Sequence, residues 1–572
     1  MSQEENYWKS SHLSRRRLLT LAGATGAGAA LLACGGQRPK QGGSAPSGGQ
    51  TASGPPQPGG TFVWFRNKND ILDPQRVSSS DQQSVAGVYS RIFAFKTGLN
   101  PEAAADHDIE PDLGLSAESP DAVTWTIKLR PDAKFHNVAP VNGHPLEAED
   151  VKATFVRAID SANPNRGSLD FIDPAQIQAP DKSTVVFKLK YPYAPFRRTL
   201  ASPTYSWIFP REALAGSYDP RKVAIGSGPF TFESYTPDVA GSYKKNPEYY
   251  VKGRPYVDGM KLAIIPDPSQ QLAQFTGGNV DEIGATQSQS YSAFDVDPIQ
   301  RANPKAQVVK SRYSIPNHIM FQLGDPKSPF LDIRVRQAFS MAIDRDVIGK
   351  SVWGGQYETI VHVPGYMGKW SMRIQDLDPK LQQQYKYNPA EAKKLLEAAG
   401  ATNLQLKLTW ANNFGTPQFT KAAETIGNFL SAVGVKNTLD VVDFNTVYIA
   451  GGKGLKNGFY PPETVLLIAQ APYNDADEFI YNFFDSKSTN GNEKLNDPAL
   501  DSMIDKQRTI VNEDDRLKAC LDIQRYLAEK MYGVSTVGTY NWAFVSPRVQ
   551  NYQWTSGTGR PMETYSKLWL KG

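Results

Sequence analysis

Cysteine is scarce: Cys34 and Cys520 are the two thiols in 572 residues. A disulfide scaffold is excluded, so the body depends on its apolar cores. Cys520 lies in Leu517-Lys518-Ala519-Cys520-Leu521, on the apolar stripe of an expected helix, and reads as a buried, inert thiol. Charge of one sign is not concentrated either. Against 62 Lys and Arg stand 58 Asp and Glu, a net charge of +4, with no long basic block. A nucleic-acid footprint is therefore missing. The six histidines show neither HExxH nor Cys-x-x-Cys spacing, so no metal or other cofactor is expected. His136 and His144 could meet across a loop, but separate, satisfied structural histidines are the favoured reading. Gly349-Lys350-Ser351 lacks the upstream glycine of a phosphate loop, and no serine stands in a G-x-S-x-G elbow. Acid pairs such as Glu149-Asp150 and Asp514-Asp515 sit at expected helix starts, where the dipole favours them. No repeat of 20–50 residues recurs, which excludes a solenoid.

The absence of acid is most pronounced at the start: between Glu5 and Asp70 there is none. Ser14-Arg15-Arg16-Arg17-Leu18-Leu19 leads into the uncharged residues 18–33. That stretch is shorter than the roughly 20 residues a spanning helix needs, and it is interrupted by glycine. A positive segment followed by a short apolar one is an export signal. The Arg15-Arg16 pair resembles a twin-arginine signal, with a general secretory signal as the alternative. Leu31-Leu32-Ala33-Cys34 resembles a bacterial lipobox, which implies cleavage before Cys34 and a diacylglycerol on its sulfur. Residues 35–60 are Gly, Pro, Ser and Gln with almost no large apolar side chain, a tether that cannot bury enough surface to fold. Together these place the body at the outer face of the cytoplasmic membrane.

The body alternates strand and helix patterns, which predicts an α/β architecture of two large lobes. Residues 60–65 read as a strand, and period-two alternation marks 124–129 and 183–189. Helical spacing marks 147–159 and 333–348. Asn388-Pro389-Ala390-Glu391 opens a helix that Gly400 stops, with a capping box expected at Glu391. Asp497-Pro498 opens another, and a third spans 514–531. Aromatic residues reach 11%, which suits either a ligand cleft or the cores.

Eight ordered segments carry a family resemblance. Glu110-Pro111-Asp112-Leu113-Gly114-Leu115-Ser116 leads to Thr124-Trp125-Thr126-Ile127-Lys128-Leu129-Arg130, then Lys134-Phe135-His136 and Ala148-Glu149-Asp150-Val151. Gly226-Ser227-Gly228-Pro229-Phe230, Lys245-Asn246-Pro247-Glu248-Tyr249-Tyr250, Asp332-Ile333-Arg334-Val335-Arg336 and Tyr387-Asn388-Pro389-Ala390-Glu391 continue it. The body resembles the family 5 extracellular solute-binding proteins, the peptide, opine and nickel-binding components of ABC importers. The resemblance implies a periplasmic-binding-protein-like clamp: lobe I from 61–312 and 541–572, with an inserted subdomain at about 81–215, and lobe II from 313–540. Residues 1–33 form the signal and 34–60 the lipidated tether. It also implies a non-enzymatic monomer whose partners are an ABC permease, ATP-binding subunits and a small, peptide-like solute. Opines, oligosaccharides and metal chelates are alternative solutes; a lipid-tethered hydrolase and a structural surface lipoprotein are alternatives of another class.

Candidate ligand contacts at strand ends are Asn67, Ser227, Trp410, Asn412, Tyr473, Asp475, Tyr540 and Trp542. Peptide-binding members carry an aspartate that pairs with the peptide's free amine. Here the corresponding run is Ala471-Pro472-Tyr473, with proline in that place, and Asp475 or Asp477 stands as a substitute.

Overall fold

The structure, a computed structural model, describes residues 54–572 apart from 68, 70–71, 77–84, 100–107, 161–162, 164–165, 285–290, 313–316, 412–416, 450–453, 470–473, 489–490, 492–493 and 554–563. Cys34, Arg15, Arg16, Asn412 and Tyr473 lie outside these residues.

Local sequence accounts for most elements. In Thr124–Leu129 the side chains of Trp125, Ile127 and Leu129 are buried, as a half-covered strand requires. It pairs with Gly114–Glu118 and Thr184–Lys188 in a four-stranded antiparallel sheet that Ile177–Asp181 completes. Helix Ala148–Ala158 packs on that sheet, and Asp150 closes its capping box with Glu147. This layer has its own apolar core, running from Ile92 to Tyr250. A second sheet orders Thr61–Arg66, Gly259–Ile264, Ala240–Lys245 and Phe230–Thr236, the first pair parallel and the others antiparallel.

A mixed five-stranded sheet lies entirely within residues 317–535. Its order is Lys436–Val442, Gln405–Ala411, Thr464–Ala469, Asn317–Met320, Gly533–Ser535. The first three are parallel, and Asn317–Met320 runs antiparallel to both its neighbours. The strands on either side of residues 313–316 pair with the strands that flank the second passage of the chain between this sheet and the N-terminal layers. Arg312 of Gln307–Arg312 pairs with Tyr540 of Gly538–Val545, and His318 pairs with Ser535.

One predicted helix is two. The helical spacing over 333–348 is interrupted at Ile343, where the backbone is extended (φ −96°, ψ 119°). Helix Ile333–Ala342 ends there, and Asp344 caps a new helix, Arg345–Trp353, by accepting from Val347 N. The break lets the buried Arg345 guanidinium bond the carbonyls of Ser340, Tyr385 and Ser535. At Pro389–Ala398 the Asn388 side chain accepts from Glu391 N, and Gly400 takes φ +67° at the stop. Asp332 caps its helix and grips Arg334, while Arg336 bonds the carbonyls of Leu331, Lys530 and Met531. These charges are architectural. Cys520 is fully buried, and burial pushes its thiol up to about 12. No described helix is long and apolar enough to cross a membrane.

Candidate functional site

Three groups of expected contacts separate once their surroundings are known. The first lies under residues 87–89. Gly226 and Gly228 are packed so closely that an added Cβ would stand 2.2 Å from Val88 O and 2.7 Å from Gly87 O, respectively. His136 holds this turn: Gly226 N–H donates to Nδ1 at 3.4 Å, and Nε2 lies 3.0 Å from Gly228 O. Burial pulls its imidazole down to about 4, so the ring is neutral. Ser227 is fully buried in this cradle. Its Oγ has no hydrogen-bond partner among the described residues, and the close approach to backbone is made by the two flanking glycines. His144 lies across the loop, where its carbonyl accepts from Phe135 N at 3.1 Å, but its ring turns away: Nδ1 meets Pro145 O at 2.8 Å and Nε2 meets Glu212 at 3.2 Å. Asp150 completes a trio with them that could face a cation. Its two oxygens, however, already accept from Arg211 and from the Glu147 N–H.

The second group sits at the strand ends. Trp410 is 1% exposed and stacks on Phe419 within the core of the five-stranded sheet. Its expected cleft position gives way to a core one, because the last four residues of Gln405–Ala411 are all buried, as in a strand covered on both faces. Tyr540 and Trp542 share one face of Gly538–Val545 beside the chain crossing. The Lys310 ammonium lies 3.9 Å from the Tyr540 ring and 5.7 Å from that of Trp542. Tyr540 is half-buried, and so is Asn67 after Thr61–Arg66. Next to the crossing is a cavity of about 340 Å³, whose lining includes Arg312, Glu358, Lys369, Arg373, Asp376 and Arg525. Cations outnumber anions there, with Arg312 paired to Glu358 and Arg373 to Asp376.

The third group is the N-terminal turn of helix Ala476–Phe484, and here sequence reasoning missed most of the participants. Asp475 caps the helix through Asp477 N. Its carboxylate is 3% exposed and is gripped by both Nη atoms of Arg516, with Arg198 Nε 3.4 Å away. Burial alone would raise this carboxyl; the Arg516 charge and hydrogen bonds outweigh it and hold it below the usual carboxylate range. Asp477 is bound by Arg508 through two 2.8 Å bonds and by Gln507. Glu478 accepts from Tyr205 OH at 3.0 Å and from Asn474 N at 2.7 Å, and burial pushes it up to about 7. The Trp370 ring lies 5.0 Å from the guanidinium of both Arg198 and Arg516. Neither Asp475 nor Asp477 is therefore a bare carboxylate waiting for an amine. Arg198, Tyr205, Trp370 and Arg516 come from distant segments and carry no local signature.

Residues 108–491 match the family described as bacterial extracellular solute-binding proteins, family 5 Middle. The chain belongs to this family. A Brucella ovis protein named as an ABC transporter peptide-binding protein is 27% identical over 491 residues, covering 81% of this chain and 85% of its own. Heme-binding protein A of Haemophilus influenzae is 25% identical over 512 residues, 84% of this chain and 86% of its own. The crystal structure of the ABC transporter substrate-binding protein CtaP from Listeria monocytogenes superposes with a TM-score of 0.74 at 20% identity, covering 90% of this chain and 100% of that one. The fold is that of the two-lobed α/β solute-binding proteins, and the family and its named relatives bind rather than catalyse.

The last strands also hold a buried acid. Glu282, beside Gly538–Val545, bonds Tyr565 near the C-terminus and faces Tyr552, with Asp281 and its partner Arg548 alongside. Burial pushes Glu282 up to about 7. A raised carboxyl stabilises the folded protein fully below its unfolded value, and that contribution is lost as pH rises through about 7. Glu282→Gln should therefore gain melting temperature relative to the parent at pH 8 and not at pH 5. Parallel melting curves at the two pH values would contradict this.

Proposed function

We propose that this extracytoplasmic solute-binding protein is the capturing lipoprotein of an ABC-type importer. The family match over residues 108–491 carries the reading. An open clamp takes solute between its lobes, closes and docks on the permease; closure is a population shift, so the solute must prefer the closed state. ATP is hydrolysed by separate subunits. Cys34, lipidated after cleavage of a twin-arginine signal carrying Arg15 and Arg16, tethers the body through residues 35–60 to the outer face of the cytoplasmic membrane.

The cargo is a peptide or a related small solute. Relatives are named for peptide and for heme. Asp475 and Asp477 are already neutralised by Arg516 and Arg508. Burying a free amine without a carboxylate costs several kcal/mol. That favours a cargo whose recognition does not rest on a free N-terminal amine at these two residues, an opine among the alternatives.

Native mass spectrometry of the purified protein should show a co-purified solute. A thermal-shift panel of peptides, opines and heme should then raise the melting temperature, since a ligand at about 100 times its Kd adds roughly 2.7 kcal/mol. Turnover of a panel compound with no thermal shift from any of them would sink the receptor reading.

A further inference from the structure

Two apolar cores meet without merging. One contains Tyr193, Phe196, Leu200 and Tyr205; the other contains Trp370, Ala476, Phe479 and Cys520. Between them runs a seam of polar contacts. Asn474 Nδ2 donates to Ser202 Oγ at 2.9 Å, Tyr205 OH to Glu478 at 3.0 Å, and Ala194 N to Arg508 O at 2.7 Å. Arg198, in the short helix Phe196–Thr199, reaches across to Asp475 at 3.4 Å and Glu513 at 3.1 Å. The Lys369 ammonium similarly joins Asp108 at 3.4 Å to Glu513 at 3.3 Å. A crevice of about 40 Å³ lies in the seam beside Tyr193, Glu478 and Arg508, room enough for water.

The charges are distributed unevenly. Asp475 and Asp477 each keep an arginine from their own side, Arg516 and Arg508. Parting the seam therefore leaves neither carboxylate bare. A contact that can open into water at small cost, yet is well bonded when shut, suits a reversible closure. Arg198 differs, since the contacts it makes with Asp475 and Glu513 both cross the seam.

We infer that this seam is the closing contact of the clamp, and that Arg198 is the positioning residue that sets the balance between open and closed forms, and through it solute affinity. The inference rests on the clamp reading above. Arg198 acts from outside the cargo, because affinity falls with the fraction of protein in the binding-competent form.

The test needs no cargo. In the full chain carrying Cys34→Ala, spin labels at Leu115→Cys and Phe459→Cys, both exposed and one on each side, report the separation across the seam. Cys520 is buried and escapes labelling. Arg198→Ala should move the open-to-closed ratio by about tenfold or more towards the longer distance, a shift equivalent to about 1.4 kcal/mol. Arg198→Lys should recover part of it, and the melting temperature should stay near that of the parent. An unchanged distance distribution in Arg198→Ala overturns the inference. So does a broadened distribution with a matching fall in melting temperature in both variants, since that marks a structural role alone. A parent that binds a panel solute while Arg198→Ala leaves the distances unchanged removes the seam and keeps the receptor. Arg198-dependent distances in a protein that binds no solute remove the receptor and keep the seam.

Discussion

Arg516→Ala should lower the folding stability by about 3–5 kcal/mol, the usual cost of breaking a buried ion pair from one side. The guanidinium is 4% exposed and makes three kinds of contact at once. It grips the Asp475 carboxylate through both Nη atoms, donates from Nε to Gln507 Oε1 at 3.0 Å, and lies over the Trp370 ring. Its removal leaves Asp475 buried with Arg198 as a more distant cation. The loss should depend on pH. In the parent the Asp475 carboxyl is held below its ordinary value, so its contribution is present above the unfolded value near 4 and disappears as pH falls through the depressed one. Without Arg516 the same carboxyl moves up, and protonation relieves the cost. The deficit in melting temperature should be larger at pH 7 than at pH 4. Arg516→Lys keeps the charge but not the two-pronged grip, and should fall between. An Arg516→Ala protein that melts with the parent at pH 7 would show that the pair contributes nothing.

Cys34→Ala should move the protein from the membrane fraction to the soluble one. Each buried CH₂ of an acyl chain contributes about 0.8 kcal/mol, so two chains hold a protein at a bilayer without any spanning helix. The described residues offer no helix that could replace the anchor. Mass spectrometry of the parent should find a diacylglycerol on the N-terminal Cys34 after cleavage, and fractionation of the variant should find it released. Retention of a cleaved Cys34→Ala protein in the membrane fraction would end the lipoprotein proposal. Replacing Arg15 and Arg16 together by Lys should block export if the twin-arginine route is used, and leave it intact if the general route is.

Elements that depend on near neighbours were readable in the sequence. Alternation buried Trp125, Ile127 and Leu129 as expected, and Asn388 with Pro389 opened a helix where the pattern said so. Both effects operate within a few residues, so a local pattern contains them. The segment 333–348 fails that rule for a physical reason. Its spacing is helical throughout, but the bonds of Arg345 to Ser535 and Tyr385 come from far along the chain and reward a break at Ile343. Trp410 fails similarly: it stands at a strand end, yet Phe419 stacks on it and strands flank it on both sides.

The same division applies to the site. Scarce cysteine, balanced charge, the leader expected to end before Cys34 and the ordered motifs from Glu110 to Glu391 determined family, class and expected location, because each is a property of composition or of short runs. Whether Asp475 is free to meet a ligand was not of that kind. It depends on Arg198 and Arg516, and only packing of two separate cores brings those guanidiniums to one carboxylate. The sequence alone left Pro472 as a reason to doubt a peptide amine; the tertiary structure turned the nearby acids into a charge-compensated seam. Electrostatic energy depends on distance in space, and separation along the chain does not report it.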